Sequence, residues 1–419
     1  MLLKDIRTEW EKPRKGETVN QTKLRNYAEI LVKRGLNVKK GQGIYLECPA
    51  EGAAFAAMIV EEAAKARAGR VIVKLKDEAV EQALLKQGYA DLSGEEMKLL
   101  EDCAKSGAAF LRIETINVGT NLELSADLLS RKAKALRNER VQYQKLSGGV
   151  QTCIADFPTK AWAEAVYPEL PEEEGMEKLW DDVFACTRSD QEKPIEAWDR
   201  YISNTKKRKE LLNQKNFKRI RYIGPGTDLT AELHKNGKWQ GGNMQLADGT
   251  IYVPNIPTEE IFHAPTCDSA EGVVAATFPL NVEGVLVKDM QLEFRGGKVI
   301  RARASEGEEV LLKLLSTDEG AARLGEVALI DQDSSIASMK KIFYSSLYDE
   351  NASCHMAIGL AAGPKPSTDE KMREERLNLS SIHVDFMVGS DQLSVYGENG
   401  DGKWEPILEN GRFAGEYRF

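Results

Sequence analysis

Histidine is scarce in this chain: 419 residues contain four, His234, His263, His355 and His383. Any imidazole chemistry must draw on those few. Six cysteines occur and no two stand at C-x-x-C spacing, so a zinc ribbon is excluded and reduced thiols are expected rather than a disulfide framework. No apolar run approaches the roughly 20 residues that span a bilayer, so no membrane role is expected. The opening stretch MLLKDIRTEW lacks the apolar segment of a signal peptide, and a cytoplasmic location is the expectation. A basic excess is missing too: 57 Lys and Arg face 66 Asp and Glu, a net charge of −9. That argues against a nucleic-acid partner. The glycine loops Gly41-Gln42-Gly43 and Gly224-Pro225-Gly226 lack G-x-G-x-x-G or Walker spacing and read as turns.

What is present is an ordinary globular composition in a chain long enough for two domains. Residues 20–35 carry Leu24, Tyr27, Ala28, Leu31 and Val32 at helical spacing, with Gly35 as the expected C-cap. GIYLEC (43–48) reads as a strand, 51–67 as an Ala-rich helix and RVIVKLK (70–76) as a strand. That is a βαβ unit and implies a parallel sheet. Ser93 and Glu96 form a capping pair, 108–116 reads as a strand, and 124–146 and 172–215 as helices. Beyond about 226, glycine and asparagine clusters alternate with short period-2 runs, and one helix is expected near 318–330. The fold class is therefore α/β: an N-terminal α/β domain over 1–225 with a mostly parallel sheet, and a C-terminal mixed α+β domain over 226–419.

SSIHVDFMV (381–389) places His383 two residues from Asp385. In a strand both point to one face, where an imidazole and a carboxylate could hold a divalent metal. A hydrogen-bonded core pair would give the same pattern. His355, in SCHMAIGLAAG, makes a two-His, one-carboxylate set. Such a set fits zinc or cobalt hydrolases and equally non-haem iron oxygenases. Glu260, in a proline-bounded loop, and Glu326, on the expected helix, would raise the set to three carboxylates and two imidazoles. That suits two divalent ions sharing ligands and a water. Taken singly, each glutamate is better explained as a solvated surface residue.

The ordered segments NIPTEEIF (255–262), TDEGAARLGEVAL (317–329), CHMAIGLA (354–361) and SIHVDF (381–386) resemble peptidase family M29, the aminopeptidase T and S group. YAEILVKRGLNVKKGQGIYLECP (27–49) and LHKNGKWQGG (233–242) extend the resemblance over nearly the whole chain. The resemblance implies metal ligands at Glu260, Glu326, His355, His383 and Asp385, without an H-E-x-x-H helix. It further implies hydrolysis of N-terminal residues from peptides by a two-metal site, and a homodimer. Zinc or cobalt are the expected metals, with manganese or magnesium as further options. Glu319 is the candidate general base, on the argument that i and i+7 share a helical face. One departure stands out: Ala362 occupies the place of the tyrosine that the family carries seven residues after its first histidine ligand. Tyr344 and Tyr348 are the candidates to replace it. Two other readings remain open at this point: a member that binds without turnover, and a mononuclear iron ring-cleaving dioxygenase.

Overall fold

Short apolar strands alternating with amphipathic helices build the first layer. The computed structural model describes residues 19–89, 94–116, 128, 131, 135, 143, 149–282, 285–364, 366 and 368–419. The helix expected over 124–146 falls almost wholly outside the described residues, as does Ser93 of the capping pair. Five parallel strands run in the order Val71–Lys76, Ile44–Pro49, Ala109–Glu114, Thr152–Asp156 and Asn255–Ile256. The residues of Ile44–Cys48 are all buried, as expected for a strand covered on both faces.

The helix Gln21–Ile30 starts where the Asn20 side chain accepts the Thr22 and Lys23 amides, satisfying donors that a helix N-terminus otherwise leaves open. Its predicted stripe is buried, and it ends in a π-helical turn, Leu31–Gly35. Gly35 is not the C-cap. It sits where a Cβ would lie 2.8 Å from Cys153 Sγ, so close packing against the sheet explains the glycine. Helices Glu172–Cys186 and Pro194–Lys215 close the other side of this core around Trp162, Phe184 and Trp198.

The second half is antiparallel. An eight-stranded sheet runs Lys298–Arg303, Gln291–Arg295, Glu271–Ala275, Thr227–Glu232, Arg219–Gly224, Ser394–Glu398, Trp404–Glu409 and Arg412–Phe413. A four-stranded sheet, Ile261–His263, Leu324–Leu329, His355–Gly359 and His383–Met387, packs on it. Val327, Leu329, Met356, Ile358 and Phe386 of the small sheet meet Tyr222, Leu229, Leu292 and Val395 of the large one in one buried cluster. Each such side chain contributes about 1.5–3 kcal/mol when fully buried. Because side chains alternate, the opposite face of the small sheet is left for other residues.

The two halves are stitched together. Arg219–Gly224, on the N-terminal side of residue 225, pairs within the eight-stranded sheet. Asn255–Ile256, on the other side, adds a parallel strand to the first sheet.

The helix expected near 318–330 is not there. A helix occupies Glu308–Leu315 instead, a turn follows, and Leu324–Leu329 is a fully buried strand. The reason is local. Asp318 accepts the Gly320 and Ala321 amides, which offers the backbone a turn in place of a helix. Gly320 and Gly325 lie so close to the Leu379 and Leu360 carbonyls that a Cβ would come within 1.8 and 2.3 Å of them. A short apolar run beside glycines is as good a buried strand as a helix.

Candidate metal centre

The outer face of the small sheet gathers the predicted residues. Glu326 is opposite Ala357, and Ala357 is opposite Asp385. The small alanine leaves open space between two acids. His383 sits opposite Gly359, and His355 opens its own strand. Glu260 comes immediately before the strand Ile261–His263, on the side shared with Phe262.

The donor atoms converge. His355 Nε2 lies 3.3 Å from Glu260 Oε2, 3.6 Å from Glu326 Oε1 and 4.0 Å from Asp385 Oδ1. His383 Nε2 lies 3.3 Å from Glu326 Oε2 and 3.5 Å from Asp385 Oδ1. Two triads result, Glu260–Glu326–His355 and Glu326–His383–Asp385, with donor atoms in each within 4.8 Å of one another. Glu326 belongs to both.

Both imidazoles are oriented from behind. His355 Nδ1 is 2.7 Å from the Glu350 carbonyl and His383 Nδ1 is 2.7 Å from the Leu360 carbonyl. A carbonyl can only accept, so each Nδ1 carries a proton and each Nε2 is the ring nitrogen turned toward the acids. This is the arrangement of metal-ligating histidine. Without a cation, the imidazoles serve as the counterions. Burial opposes their charge, yet hydrogen bonds and fields from Glu260, Glu326 and Asp385 hold both pKa values well above the ordinary histidine range. Burial, together with the Glu326 and Asp385 charges, raises the Glu260 carboxyl, against the hydrogen bond with His355.

The backbone at Glu260 is gripped on both sides. Asn351 Oδ1 accepts the Glu259 and Glu260 amides at 2.7 and 3.2 Å. On the carbonyl side Gly241 has φ +118°, and a Cβ there would lie 2.1 Å from the Glu260 oxygen. Lys209 Nζ donates to the Gly241 carbonyl at 2.6 Å. The segment LHKNGKWQGG thus passes directly behind a candidate ligand. Glu259 points away, buried with Arg188 Nη2 and Ser335 Oγ, each at 2.5 Å from its Oε1.

Three expectations change. Glu319 lies exposed on the turn before the Glu326 strand, so the shared helical face that made it a candidate base does not exist. The neighbouring Asp318 does the structural work there, accepting hydrogen bonds from Ser380 Oγ and from the amide and hydroxyl of Ser381. Tyr348 is walled into the first core against Trp162 and Phe343, far from a role in place of Ala362, and Tyr344 is partly buried in the preceding loop. Ala362 donates its amide to the Gly325 carbonyl at 3.0 Å, next to Glu326, and lines a small cavity with Gln240, Phe262 and Leu377.

Glu350 was missed. It lies on the helix Ser346–Ala352. Burial first, then the charges of Asp385 and Glu260, push its carboxyl well above the usual range. The signal in the sequence was a serine-capped acidic turn, SSLYDENAS, one helical turn before His355. A cleft of about 840 Å³, lined by His234, Trp239 and His263, contains none of these acids.

The sequence profile described as thermophilic metalloprotease (M29) matches residues 20–413. The chain belongs to that family. Aminopeptidase T of Thermus aquaticus is 37% identical over 405 residues, covering 93% of this chain and 98% of its own. Aminopeptidase 2 of Geobacillus stearothermophilus is 35% identical, covering 94% and 98%. The solved structure of wild-type AmpT from Thermus thermophilus superimposes with a TM-score of 0.87 at 34% identity, covering 94% and 99%.

Proposed function

We propose that this M29 chain is a metal-dependent aminopeptidase, and that Glu260, Glu326, His355, His383 and Asp385 would hold two divalent cations, Glu326 being common to both triads. The observation that carries this reading is the pair of triads sharing one carboxylate, with each imidazole locked from behind by a carbonyl. Charge supports it. Glu260, Glu326, Glu350 and Asp385 sum to −4 when ionised, which two divalent cations neutralise. Buried acids without such compensation are costly. A mononuclear iron triad needs neither Glu260 nor Glu326, so the dioxygenase reading loses its ground.

Two bound cations supply Lewis acidity toward a scissile carbonyl and acidify a water at neutral pH. The protein's own residues do the rest. With Nδ1–H of His355 and His383 held by the carbonyls of Glu350 and Leu360, Nε2 is the atom each ring would offer a cation, giving up the proton it carries in the metal-free chain. Ala357 keeps the space between Glu326 and Asp385 open. Glu350 replaces Glu319 as the further acid of the site, either accepting a proton from water or adding a carboxylate to the Glu260 side. The free amine of a peptide substrate has carboxylates to meet at the same place, which suits cleavage at the N-terminus. Imidazole donors favour zinc or cobalt over magnesium. A cytoplasmic homodimer belongs to the same reading.

The experiment is chelation followed by readdition of zinc, cobalt, manganese or magnesium, with release from aminoacyl-chromogenic substrates as the readout and His383→Ala as control. Metal-restored release, lost in the control, is the expected result. Two bound ions and no release with any metal would sink the peptidase and favour a binding-only member. Glu350→Gln separates the two roles of that acid: loss of one ion marks a ligand, while two ions with a collapsed kcat mark the proton acceptor.

A further inference from the structure

The helix Ser346–Ala352 has only seven residues, too few to hold itself in water. Its contacts therefore decide where it lies, and they lead to two places. At one end is Asn351, which is 0% exposed. Its Oδ1 accepts both the Glu259 and Glu260 amides, and its Nδ2 donates to the Leu347 carbonyl at 2.8 Å and to Glu350 Oε1 at 3.3 Å. One buried amide therefore touches the backbone of a candidate ligand and the carboxylate of the further acid. The adjacent residues continue the link, since the Glu350 carbonyl receives His355 Nδ1–H.

At the other end the N-cap residue Ser345 donates its hydroxyl to Asp156 Oδ2 at 2.8 Å. Asp156 is the last residue of a central strand of the parallel sheet. It is 2% exposed, and its backbone carbonyl accepts the Tyr27 hydroxyl at 3.1 Å. Tyr348, between the two ends, fills the first core beside Trp162. The helix is thus seated in the first domain while its C-terminal end faces the metal centre of the second.

We propose that Asn351 is the positioning residue that sets Glu260 and Glu350 at a fixed separation, and that the Ser345–Asp156 bond fixes the helix carrying it to the parallel sheet. The N-terminal domain is then part of the apparatus that shapes the metal centre. This rests on the metal-centre reading for what the positioned acids hold. Asn351 touches no reacting atom. It acts by closing off the alternative directions in which the Glu260 loop and the Glu350 side chain would otherwise relax.

The test is cobalt(II) titration of the full chain, followed by calorimetry and visible absorption, with thermal unfolding alongside. Loss of an outer partner of a metal ligand typically costs about 10- to 100-fold in affinity or activity. Asn351→Ala is expected to weaken the ion bound on the Glu260 side by that factor, while the ion at Glu326–His383–Asp385 binds as before. Ser345→Ala is expected to weaken the same ion about tenfold, with Asp156→Asn, which keeps an acceptor for the serine, close to wild type. Equal loss at both ions, or wild-type affinity in folded Asn351→Ala, overturns the proposal. Should Asn351→Ala fail to fold, the Ser345→Ala titration decides alone, and unchanged affinity there overturns it. A wild-type chain that takes up no metal pair would instead bring down the metal-centre reading itself, so the two failures are told apart by the wild-type titration.

Discussion

All four histidines belong to the second half of the chain, and three lie on strands of one small sheet, yet they divide into two unlike pairs. His355 and His383 stand among Glu260, Glu326 and Asp385 and are held protonatable to unusually high pH. His263 is 4% exposed, also has its Nδ1 on a carbonyl, that of Ala264 at 2.9 Å, and packs edge-on to Trp239. Burial pushes its pKa down to about 4. His234 is likewise lowered, burial outweighing Glu375. An Nδ1 held on a backbone carbonyl is therefore common to His263, His355 and His383. What makes a candidate ligand is the convergence of buried acids on the other ring nitrogen. The imidazole is prepared the same way in those three places, and the neighbours assign the role.

The sharpest way to break this comparison is to remove one member of each pair. His355→Ala is expected to abolish binding on the Glu260 side and to cut kcat/KM by roughly a thousandfold or more, since a cation contributes several kcal/mol to the barrier. His263→Gln is expected to leave two ions bound and to lower thermal stability only, by about 1–3 kcal/mol for a disturbed buried donor. Metal titration of both variants checks the claim. Loss of an ion in His263→Gln would mean that burial, not the acids, defines the centre.

A second test sharpens the comparison by closing the space that the acids share. Ala357 stands between Glu326 and Asp385. Leucine there is expected to overpack the site at about 1–3 kcal/mol of stability. By displacing ligands it should also lower kcat about 100-fold, the usual consequence of a misplacement near 1 Å. The split between kcat and KM, with metal content measured in parallel, is the readout.

The candidate ligands were legible in the sequence and their scaffold was not, for a physical reason. His383 and Asp385 announce a shared face through period-2 spacing, and the structure places them on one strand. Glu326 was read into a helix because EGAARLGEVAL carries alanines and leucines at permissive spacing. The Asp318 turn and the tight approach of Gly320 and Gly325 to other backbone segments exclude that helix, and the approaching segments lie far apart in sequence. Glu319 fell with it. Glu350 and Asn351 lie on a seven-residue helix whose Tyr348 is seated in the first core, so the serine-capped acidic turn marks the helix and not what its far end faces. The parallel sheet was readable from its strand–helix–strand order. Its borrowed edge strand, Asn255–Ile256, was not, because two residues carry no periodicity.

Buried acids can be compared in the same way as buried histidines. Those at the candidate metal centre have imidazoles beside them, whereas Asp156 has a serine hydroxyl and no cation among its described partners. Burial first, then the Glu114 charge, raises its carboxyl to about 8, against the hydrogen bond from Ser345. An acid raised in this way keeps its proton in the folded state while the unfolded chain, ionising near 4, has already lost it. Folding then takes up a proton, so between about pH 5 and pH 7 this group makes stability fall as pH rises, by about 1.4 kcal/mol per unit. Above its folded pKa the loss is complete and the slope ends. Asp156→Asn cannot ionise and should flatten that slope by one proton's worth. Urea unfolding of the metal-free chain at several pH values measures it. An unchanged slope would mean that Asp156 is ionised in the folded protein. A compensating cation would then have to reach the end of the parallel strand, and the distinction between the two kinds of buried acid would disappear.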